Sequence, residues 1–536
     1  MVEERGVGEG LRLAELLGAL SLACDLAHRQ PAETGLKDAV LSVAFARHLG
    51  LPNEEVRDAY YLALLYNAGC MGAAEEVGRL SAGDDASMRH AYGEADYADM
   101  PQLFRLAVTE LAVQFGPVDR ARAVMTMMTA PRHTMWDLTF ACCEVAARLA
   151  ERLGAGPNVA RALGEVYGRW DGKIFPLPAG EGLSRVARLS HLIRVAQVHS
   201  IDKGRAGAAE VVRKRRGNEL DPKLADAFLQ VHDEVFSVLG DGSVWDQALE
   251  AEPQPHRLIP QSQLEDLTLA FADFADIKST FTLGHSRRVG ELAGIGASCL
   301  ALPPAEQELA RRAGYVHDLG GVSVPQRVFT KNGPLNRPEL EAVRLHAYHT
   351  ERILNAARSL RPLGAVAGLH HERLDGSGYH RGAKAVSQSQ TARIVATAEA
   401  YQAMLEPRSW RPAFTPSDAA KRLSDQAAGG LLDRASVMAV LEAAGERFGP
   451  RHVKWPADLT DREVDVIRLM AAGRSNREIA RALRISEATA HTHTVNLYAK
   501  TGVHTRSGIA LYAIEHDLLA SPKINRTVEA ATAPSA

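Results

Sequence analysis

The sequence predicts an all-α protein with two tandem helical domains followed by a four-helix helix-turn-helix domain. Apolar residues recur at helical spacing through most of the 536 residues. The N-terminal part repeats the pattern of the central part, and four short helices with capping signals can be drawn near the C-terminus. The predicted domains are 1–236, 263–449 and 459–519, with linkers at 237–262 and 450–458 and a disordered tail at 520–536.

Composition indicates an ordinary globular protein. Hydrophobic residues make up 46% and charged residues 24% of the chain. No stretch approaches the ~20 apolar residues of a membrane span, and the acidic start MVEERGVGEG is unlike a signal peptide, so we expect a cytoplasmic protein. The five cysteines lack C-x-x-C spacing, which indicates buried free thiols. A net charge of −3 gives no general attraction to nucleic acid, so such a function needs a local basic patch.

The N-terminal domain repeats the central domain without its metal-binding residue types. An offset of 251 residues brings the two apolar patterns into register. The aligned pairs are Thr34 with His285, Tyr66 with His317, Asn67 with Asp318, and, after small gaps, Val166-Tyr167 with His370-His371 and Gln197 with Glu399. Such a domain keeps the fold but loses the metal cage. We expect it to be either a ligand-sensing or dimerising regulatory module or a scaffold that packs on the central domain.

The central domain concentrates metal-ligand chemistry between Val316 and His380, in VHDLGG (316–321), LHAYH (345–349) and HHERLDGSGYH (370–380). Imidazoles hold iron, zinc or manganese, and a shared carboxylate can bridge two such ions. Adjacent residues on a helix diverge by about 100°, so neighbouring ligands can serve two ions. A single histidine is more often an ordinary hydrogen-bonded residue. The joint pattern is therefore what predicts a paired metal site.

The run from Lys278 to Ala420 resembles the HD-GYP branch of the HD superfamily of metal-dependent phosphohydrolases. Matching pieces are GHSRRV (284–289), HD (317–318), KNGPLNRPELEAVRLH (331–346), HHERLDGSGY (370–379), ARIVATAEAYQA (392–403) and RSWRPA (408–413). The resemblance implies hydrolysis of cyclic dinucleotides by two divalent metal ions, iron or manganese, which activate a water for in-line attack. The implied metal ligands are His285, His317, Asp318, His346, His370, His371 and Glu399, with Asp318 as bridge and His317, Asp318 and Glu399 as the catalytic set.

Three departures from the family pattern leave alternatives open. Gly321 stands where the family usually has a lysine, His380 replaces the proline of GYP, and Glu399 replaces an aspartate. Phe281 lies where some members place a glutamate for a third metal, so two ions are the expected maximum. The domain is expected to be a phosphodiesterase; the alternatives are a ligand sensor without turnover and a phosphohydrolase for another substrate.

The last domain resembles the LuxR-type DNA-binding domain. SNREIARALRISEAT (475–489), His493, Asn496, Lys500 and Gly502-Val503 lie where that family's pattern has them. The resemblance implies that the third helix enters the major groove. The implied DNA-binding residues are His491, Thr492 and Val495 for bases, Asn496, Lys500 and Arg506 for the backbone, and Arg474 and Arg477 in the basic patch. Ala490, Thr494 and Thr501 are smaller than the family prefers, which predicts a less buried inner face.

The two resemblances together predict a transcriptional regulator that couples a dinuclear phosphohydrolase to sequence-specific DNA binding. The alternative is an inactive HD-domain sensor that controls the DNA-binding domain. Expected partners are double-stranded DNA and a phosphorylated small molecule such as a cyclic dinucleotide, with no membrane. A homodimer is expected because helix-turn-helix proteins usually read two half-sites.

Overall fold

The computed structural model describes residues 11–93, 95, 96, 98–110, 116–129, 132–447 and 455–519. The all-α prediction is confirmed, because β-structure in these residues is limited to the short antiparallel pair β1 (Leu11–Arg12) and β2 (Leu258–Ile259) and isolated bridges. Within them, every helix is too short or too polar to cross a membrane. The predicted tail 520–536 and residues 450–454 of the second predicted linker lie outside the described residues.

The N-terminal domain is built from helices, with a 3₁₀ turn at Ala68–Ala73. Its helices are α1 (Leu13–Ala27), α2 (Thr34–His48), α3 (Asn53–Leu65), α4 (Ala74–Leu80), α5 (Asp85–Gly93), α6 (Met100–Glu110), α7 (Pro117–Thr129), α8 (Arg132–Arg152), α9 (Pro157–Glu165), α10 (Arg185–Arg215), α11 (Pro222–Ser237) and α12 (Val244–Ala251). Helix α10 is kinked at Gly204, whose φ is +63°.

The central domain begins with three helices that reproduce α1 to α3. Its helices are α13 (Leu264–Asp276), α14 (His285–Cys299), α15 (Pro304–Val316), α16 (Gln326–Thr330), α17 (Arg337–Ala356), α18 (Arg361–Ala367), α19 (Gln390–Leu405), α20 (Pro416–Ala428) and α21 (Arg434–Arg447). The offset of 251 residues carries both ends of α2 onto α14 and both ends of α3 onto α15. The predicted duplication is therefore present in the backbone.

A pair of buried aspartates shows that the two copies also share their packing. Asp25 at the end of α1 accepts a hydrogen bond from the Gly35 backbone N–H at 3.2 Å. Asp276, at the equivalent place at the end of α13, accepts one from the Ser286 N–H at 2.8 Å. Burial, the largest influence at both sites, raises the pKa of Asp25 to about 8 and that of Asp276 to about 7. The same helix-end contact thus survives in both domains.

The predicted linker at 237–262 is ordered and packs on the N-terminal domain. Helix α12 lies inside it, and the Ala248 carbonyl accepts a hydrogen bond from the Tyr60 hydroxyl at 2.8 Å. The Tyr61 hydroxyl donates to Glu252 Oε1 at 2.7 Å, and β2 pairs with β1. The glycines and prolines of this stretch obscured a short amphipathic helix, which the side chain of Ser243 caps by accepting the Asp246 N–H.

The C-terminal domain contains the four predicted helices, α22 (Asp461–Ala471), α23 (Asn476–Leu483), α24 (Glu487–Thr501) and α25 (Arg506–Glu515). Capping boxes begin α22 at Thr460 and α23 at Ser475. The turn between α23 and α24 passes through Arg484, which has a left-handed conformation with φ of +54°. The helix-turn-helix geometry expected from the sequence is present.

All three domains meet beside α8. Arg152 Nη1 lies 2.7 Å from Asp273 Oδ2 of α13 and 3.5 Å from Glu515 Oε1 of α25. Glu144 Oε1 accepts a hydrogen bond from the His504 backbone N–H at 2.7 Å. One face of α8 therefore connects the central domain with the helix-turn-helix domain.

Candidate metal centre

Five separate segments of the central domain place the seven predicted ligands around one point. His285 is the first residue of α14, His317 and Asp318 follow α15, His346 lies within α17, His370 and His371 follow α18, and Glu399 lies within α19. Helices α14, α15 and α19 pack on one another, and α17 packs on the 3₁₀ turn Leu319–Ser323 that follows Asp318. This packing brings together side chains separated by more than a hundred residues in the sequence.

The first group of ligand atoms comprises His285, His317 and Glu399, all buried. Glu399 Oε2 lies 2.7 Å from His285 Nε2 and 3.4 Å from His317 Nε2. The glutamate side chain at this position therefore reaches both imidazoles of the group.

The second group comprises His346, His370 and His371, and Asp318 stands between the two groups. Asp318 Oδ1 lies 3.1 Å from His346 Nε2 and 3.6 Å from His370 Nε2. Its other oxygen, Oδ2, lies 3.6 Å from His317 Nε2 and 3.9 Å from His285 Nε2. One carboxylate thus offers an oxygen to each group, as a bridging ligand does.

Hydrogen bonds on the outer side of four imidazoles turn their Nε2 atoms inward. Backbone carbonyls accept the Nδ1 protons of His317, His346 and His370; the acceptors are Gly314, Val343 and Ala367. A carboxylate oxygen of Glu406 lies 2.8 Å from His285 Nδ1. Such outer contacts fix both the tautomer and the ring orientation of metal-binding histidines.

The donor set fits divalent metal ions. His346 Nε2 and His370 Nε2 lie 2.8 Å apart, although the Nδ1 atoms of both rings already carry the protons given to carbonyls. Two lone pairs at this distance repel unless a cation lies between them. His317 Nε2 and Glu399 Oε2 are buried and make no hydrogen bond of good geometry within the described residues, although Glu399 Oε2 lies 2.7 Å from His285 Nε2. A metal ion would satisfy all of these atoms.

The electrostatics of the cage favour the ligand forms of several residues. Burial alone would raise the pKa of Asp318, but His317 and His346 outweigh it and hold this pKa well below its usual range. Burial, followed by the nearby charge of His346, lowers the pKa of His371 to about 3. Burial and then His371 also lower the pKa of His370. Asp318 is therefore ionised and both histidines are neutral at neutral pH, as metal binding requires.

Glu406 is a positioning residue that the sequence analysis missed. Its Oε1 accepts a hydrogen bond from Arg288 Nη2 at 2.7 Å, while its Oε2 faces His285. Burial opposes ionisation of Glu406, yet His285 and Arg288 outweigh it and lower its pKa below the usual value. Glu406 follows Glu399 by seven residues at the end of α19. That spacing of two helical turns was the available signal.

Two departures from the family pattern, Gly321 and His380, lie outside the group of candidate ligands. A side chain at Gly321 would meet no neighbouring atoms. The absence of the family's lysine therefore removes a positive charge but leaves no packing defect. The Tyr379 ring stacks on His371 with centroids 4.3 Å apart. His380 packs against the Tyr348 ring at 5.7 Å.

The N-terminal domain holds hydrogen bonds where the central domain holds metal ligands. The Tyr66 hydroxyl lies 2.7 Å from His191 Nδ1, and His191 Nε2 lies 3.0 Å from Glu219 Oε1. Converging groups of three metal-ligand side chains occur only in the central domain, within the part of the chain that the structure describes.

The predicted DNA-binding residues divide into exposed and internally bonded groups. His491, Thr492, Val495 and Asn496 are exposed on α24, and Arg474 and Arg477 are exposed near the start of α23. Lys500 Nζ lies 2.8 Å from Glu463 Oε2. Arg506 Nη1 donates to the Arg474 carbonyl at 2.6 Å. The base-facing surface of α24 is therefore accessible, while Lys500 and Arg506 already have protein partners.

Residues 270–435 match the HD domain family, and residues 457–513 match the bacterial regulatory proteins of the luxR family. The chain therefore joins an HD domain of the metal-dependent phosphohydrolase class to a luxR-type regulatory domain.

Similar proteins extend this assignment. The chain is 28% identical over 418 residues to 3′3′-cGAMP-specific phosphodiesterase 3 of Vibrio cholerae, covering 77% of this chain and 90% of that protein. It is 48% identical over 72 residues to the transcriptional regulatory protein MctR of Rhizobium johnstonii, covering 13% and 34% respectively. A crystal structure of a cyclic GMP-AMP-specific phosphodiesterase from V. cholerae has the same fold, with a TM-score of 0.55, 23% identity and coverage of 81% and 98%. The predicted resemblances are confirmed.

Glu406→Gln should lower metal affinity by about 10–100-fold, the usual effect of losing an outer-shell partner. The substitution keeps the side-chain length but removes the charge that orients His285. Metal content measured by plasma mass spectrometry against a chelator series would test this. Asp425→Asn, which alters an exposed ion pair with Lys421, is the matched control. Equal metal affinity in Glu406→Gln and wild type would contradict the assigned role.

Proposed function

We propose that the central domain is a two-metal phosphodiesterase for 3′3′-linked cyclic dinucleotides and that it regulates the DNA-binding domain of the same chain. The supporting observation is the placement of two ligand groups on either side of Asp318. A phosphodiester needs stabilisation of both the attacking and the leaving oxygen, and paired cations supply it. Iron and manganese suit this mixture of imidazole and carboxylate ligands.

The protein side chains hold and orient the reacting groups. Asp318 fixes the spacing between the two ligand groups, and its side chain is 25% exposed, so substrate can reach this point. Arg373 and Arg344 lie near Tyr379 and add positive charge around the opening. This charge attracts a doubly anionic substrate. The metal ions, when bound, supply an activated water and neutralise developing charge on the phosphate.

The long similarity to a cGAMP-specific enzyme favours a mixed cyclic GMP-AMP substrate over cyclic di-GMP. That similarity spans 418 residues, whereas the similarity to the cyclic di-GMP phosphodiesterase response regulator of Xanthomonas campestris spans 167. The longer match extends beyond the HD domain of 270–435.

A ligand sensor without turnover is the alternative function, and Gly321 favours it. The space beside Gly321 lacks the side chain that would hold a phosphate there. Bound metal with a cyclic dinucleotide that is never cleaved is the result expected of such a sensor.

The wild-type chain loaded with manganese or iron should convert 3′3′-cGAMP to a linear dinucleotide. Asp318→Ala should reduce the rate by more than ~100-fold, because the two ligand groups act as one unit. Product formation is followed by chromatography, with cyclic di-GMP and a generic phosphodiester as competing substrates. Asp375→Ala, at an exposed turn residue bonded to Ser377, is the control. Two bound metals without any turnover would support the sensor instead.

The DNA-binding proposal rests on the exposed face of α24 and the basic residues beside it. His491, Thr492 and Val495 are oriented outward, and Val495 is 50% exposed. A helix of this kind places its outer residues against base edges, while neighbouring arginines contact phosphates. The homodimer expected from paired half-sites remains a prediction.

Arg477→Ala should weaken binding to duplex DNA of any sequence. We expect the slope of log affinity against log salt to fall in magnitude by about 1, the change for one lost phosphate contact. Fluorescence anisotropy with a random-sequence duplex at four salt concentrations measures this slope. Lys421→Ala, a charge change in the central domain, should leave it unchanged. An unaltered slope in Arg477→Ala would mean that DNA phosphates do not contact Arg477 and that DNA binds to a different surface.

Coupling between nucleotide and DNA is proposed to pass through the contacts on α8. Glu144 accepts the His504 N–H and the Thr505 hydroxyl, and the Ser507 hydroxyl donates to the Gly72 carbonyl at 2.7 Å. These contacts tie the start of α25 to the N-terminal domain. A change in the packing of α8 therefore reaches the helix-turn-helix domain directly.

Glu144→Ala should uncouple the two activities. In the wild type, 3′3′-cGAMP is expected to change DNA affinity by about 5–150-fold, the usual range of allosteric coupling. The variant should bind DNA equally with and without the nucleotide, while its phosphodiesterase rate stays normal. Glu151→Ala, an exposed glutamate on the same helix, is the control. Electrophoretic shifts with and without nucleotide give the result, and an intact response in Glu144→Ala would exclude this route.

A further inference from the structure

The N-terminal domain contains a cavity at the place that corresponds to the candidate metal centre of the central domain. Its volume is about 100 Å³. Tyr66 and Asn67, the counterparts of His317 and Asp318, both line it. Since the metal-ligand groups of the described residues all lie in the central domain, a ligand here must be held by other interactions.

Three buried arginines line this cavity: Arg89, Arg194 and Arg215. Asp85 pairs with the first, Asp38 with the second and Glu219 with the third. Of the described carboxylates, only Glu219 belongs to the cavity wall. Because each guanidinium is paired with a carboxylate, an anionic ligand would be held by N–H groups that take no part in these pairs and not by a net positive charge.

Arg89 has a hydrogen-bond donor that the protein does not use. Its Nη2 donates to the Ala27 carbonyl at 3.2 Å and to Asp85 Oδ2 at 2.5 Å. Its Nη1 is buried and has no acceptor among the described residues, although only 7% of Arg89 is exposed. Buried N–H groups without an acceptor are rare, because burial removes their hydrogen bonds to water and no other hydrogen bond replaces them. An anionic oxygen in the cavity would satisfy this group.

Aromatic and apolar side chains complete the cavity. The rings of Tyr66 and Tyr167 meet edge to face with centroids 5.6 Å apart. Val77, Met88 and Leu138 form an apolar part of the wall. Walls of this kind accept a flat ring, since ring faces and edges pack favourably with aromatic side chains.

We propose that this cavity is an effector site for a small anion that carries a single flat ring, such as benzoate, because a volume of about 100 Å³ is too small for a nucleotide. The anionic group is held by Arg89 Nη1 with Arg194 and Arg215 beside it, and the ring lies against Tyr66 and Tyr167. The site is separate from the metal centre and does not depend on the function proposed for it.

Asp85 connects this site to the central domain. Its Oδ1 accepts a hydrogen bond from the Gln326 backbone N–H at 2.7 Å, and its Oδ2 lies 3.6 Å from Lys278 Nζ. Lys278 Nζ also donates to the Val322 carbonyl at 2.5 Å, in the 3₁₀ turn that follows Asp318. A ligand that draws Arg89 into the cavity weakens its bond to Asp85. The change in the contacts of Asp85 then reaches the 3₁₀ turn that follows Asp318, the candidate bridging carboxylate.

Calorimetric titration of the full chain tests the proposal, with Asp318→Ala as background so that the metal centre does not contribute. The probes are benzoate, inorganic phosphate and guanosine 5′-monophosphate, the last of which is too large for the cavity. We expect one benzoate per chain, bound more tightly than phosphate or the nucleotide. Arg89→Met should weaken benzoate binding at least tenfold, whereas Arg79→Met, at an exposed ion pair on α4, should not. Hydrogen exchange of residues 319–323 should change on addition of benzoate.

A second variant keeps the test decisive if Arg89→Met disturbs the domain interface. Thr139→Trp fills the cavity from a partly exposed position on α8 and should abolish benzoate binding. Loss of binding in this variant supports the site. Absence of benzoate binding to the background protein overturns the proposal. Binding that survives both Arg89→Met and Thr139→Trp overturns it as well.

Discussion

The central domain depends on one carboxylate shared between two groups of imidazoles. Asp318 gives one oxygen to His346 and His370 and the other to His285 and His317. Its neighbour His317 is anchored by the Gly314 carbonyl, so the backbone around the His-Asp pair is held on both sides. Burial of so many polar atoms is costly unless each finds a partner. The surrounding helices must therefore pack so that buried imidazole and carboxylate lone pairs face inward only at places where metal ions could bind them.

Comparison of the two copies of the fold distinguishes the contacts that folding requires from the residues that metal binding requires. Asp25 and Asp276 make the same helix-end contact, although one copy holds metal ligands and the other does not. At the position of His317, Tyr66 instead bonds to His191, and a chain of hydrogen bonds continues to Glu219. Replacing ligands by mutually satisfied polar groups preserves the core, because buried polar atoms remain paired. The vacated volume then becomes a cavity of different chemistry.

The contacts of the helix-turn-helix domain with the other two domains are the physical basis for the proposed regulation of DNA binding. Arg152 contacts Asp273 in the central domain and Glu515 in α25, so one side chain bridges two domains that are far apart in sequence. On the other side of the N-terminal domain, Asp85 reaches Lys278 and Gln326 beside the metal centre. The N-terminal domain therefore contacts both functional parts of the chain. This position is what the proposed regulatory role of the N-terminal domain depends on.

Local patterns in the sequence determined the helices, the duplication and the seven candidate metal ligands. Helical periodicity, capping residues and the His-Asp spacing are short-range properties, and the offset of 251 residues reappears in the helix ends. Only the tertiary structure decided the role of Glu406, the ordered packing of 237–262 and the contacts of Arg152. These depend on which helix faces meet, and a linear pattern does not specify the partner of a buried side chain. The arginine-lined cavity arose in the same way, since Arg89, Arg194 and Arg215 converge only when α5 and α10 pack around it.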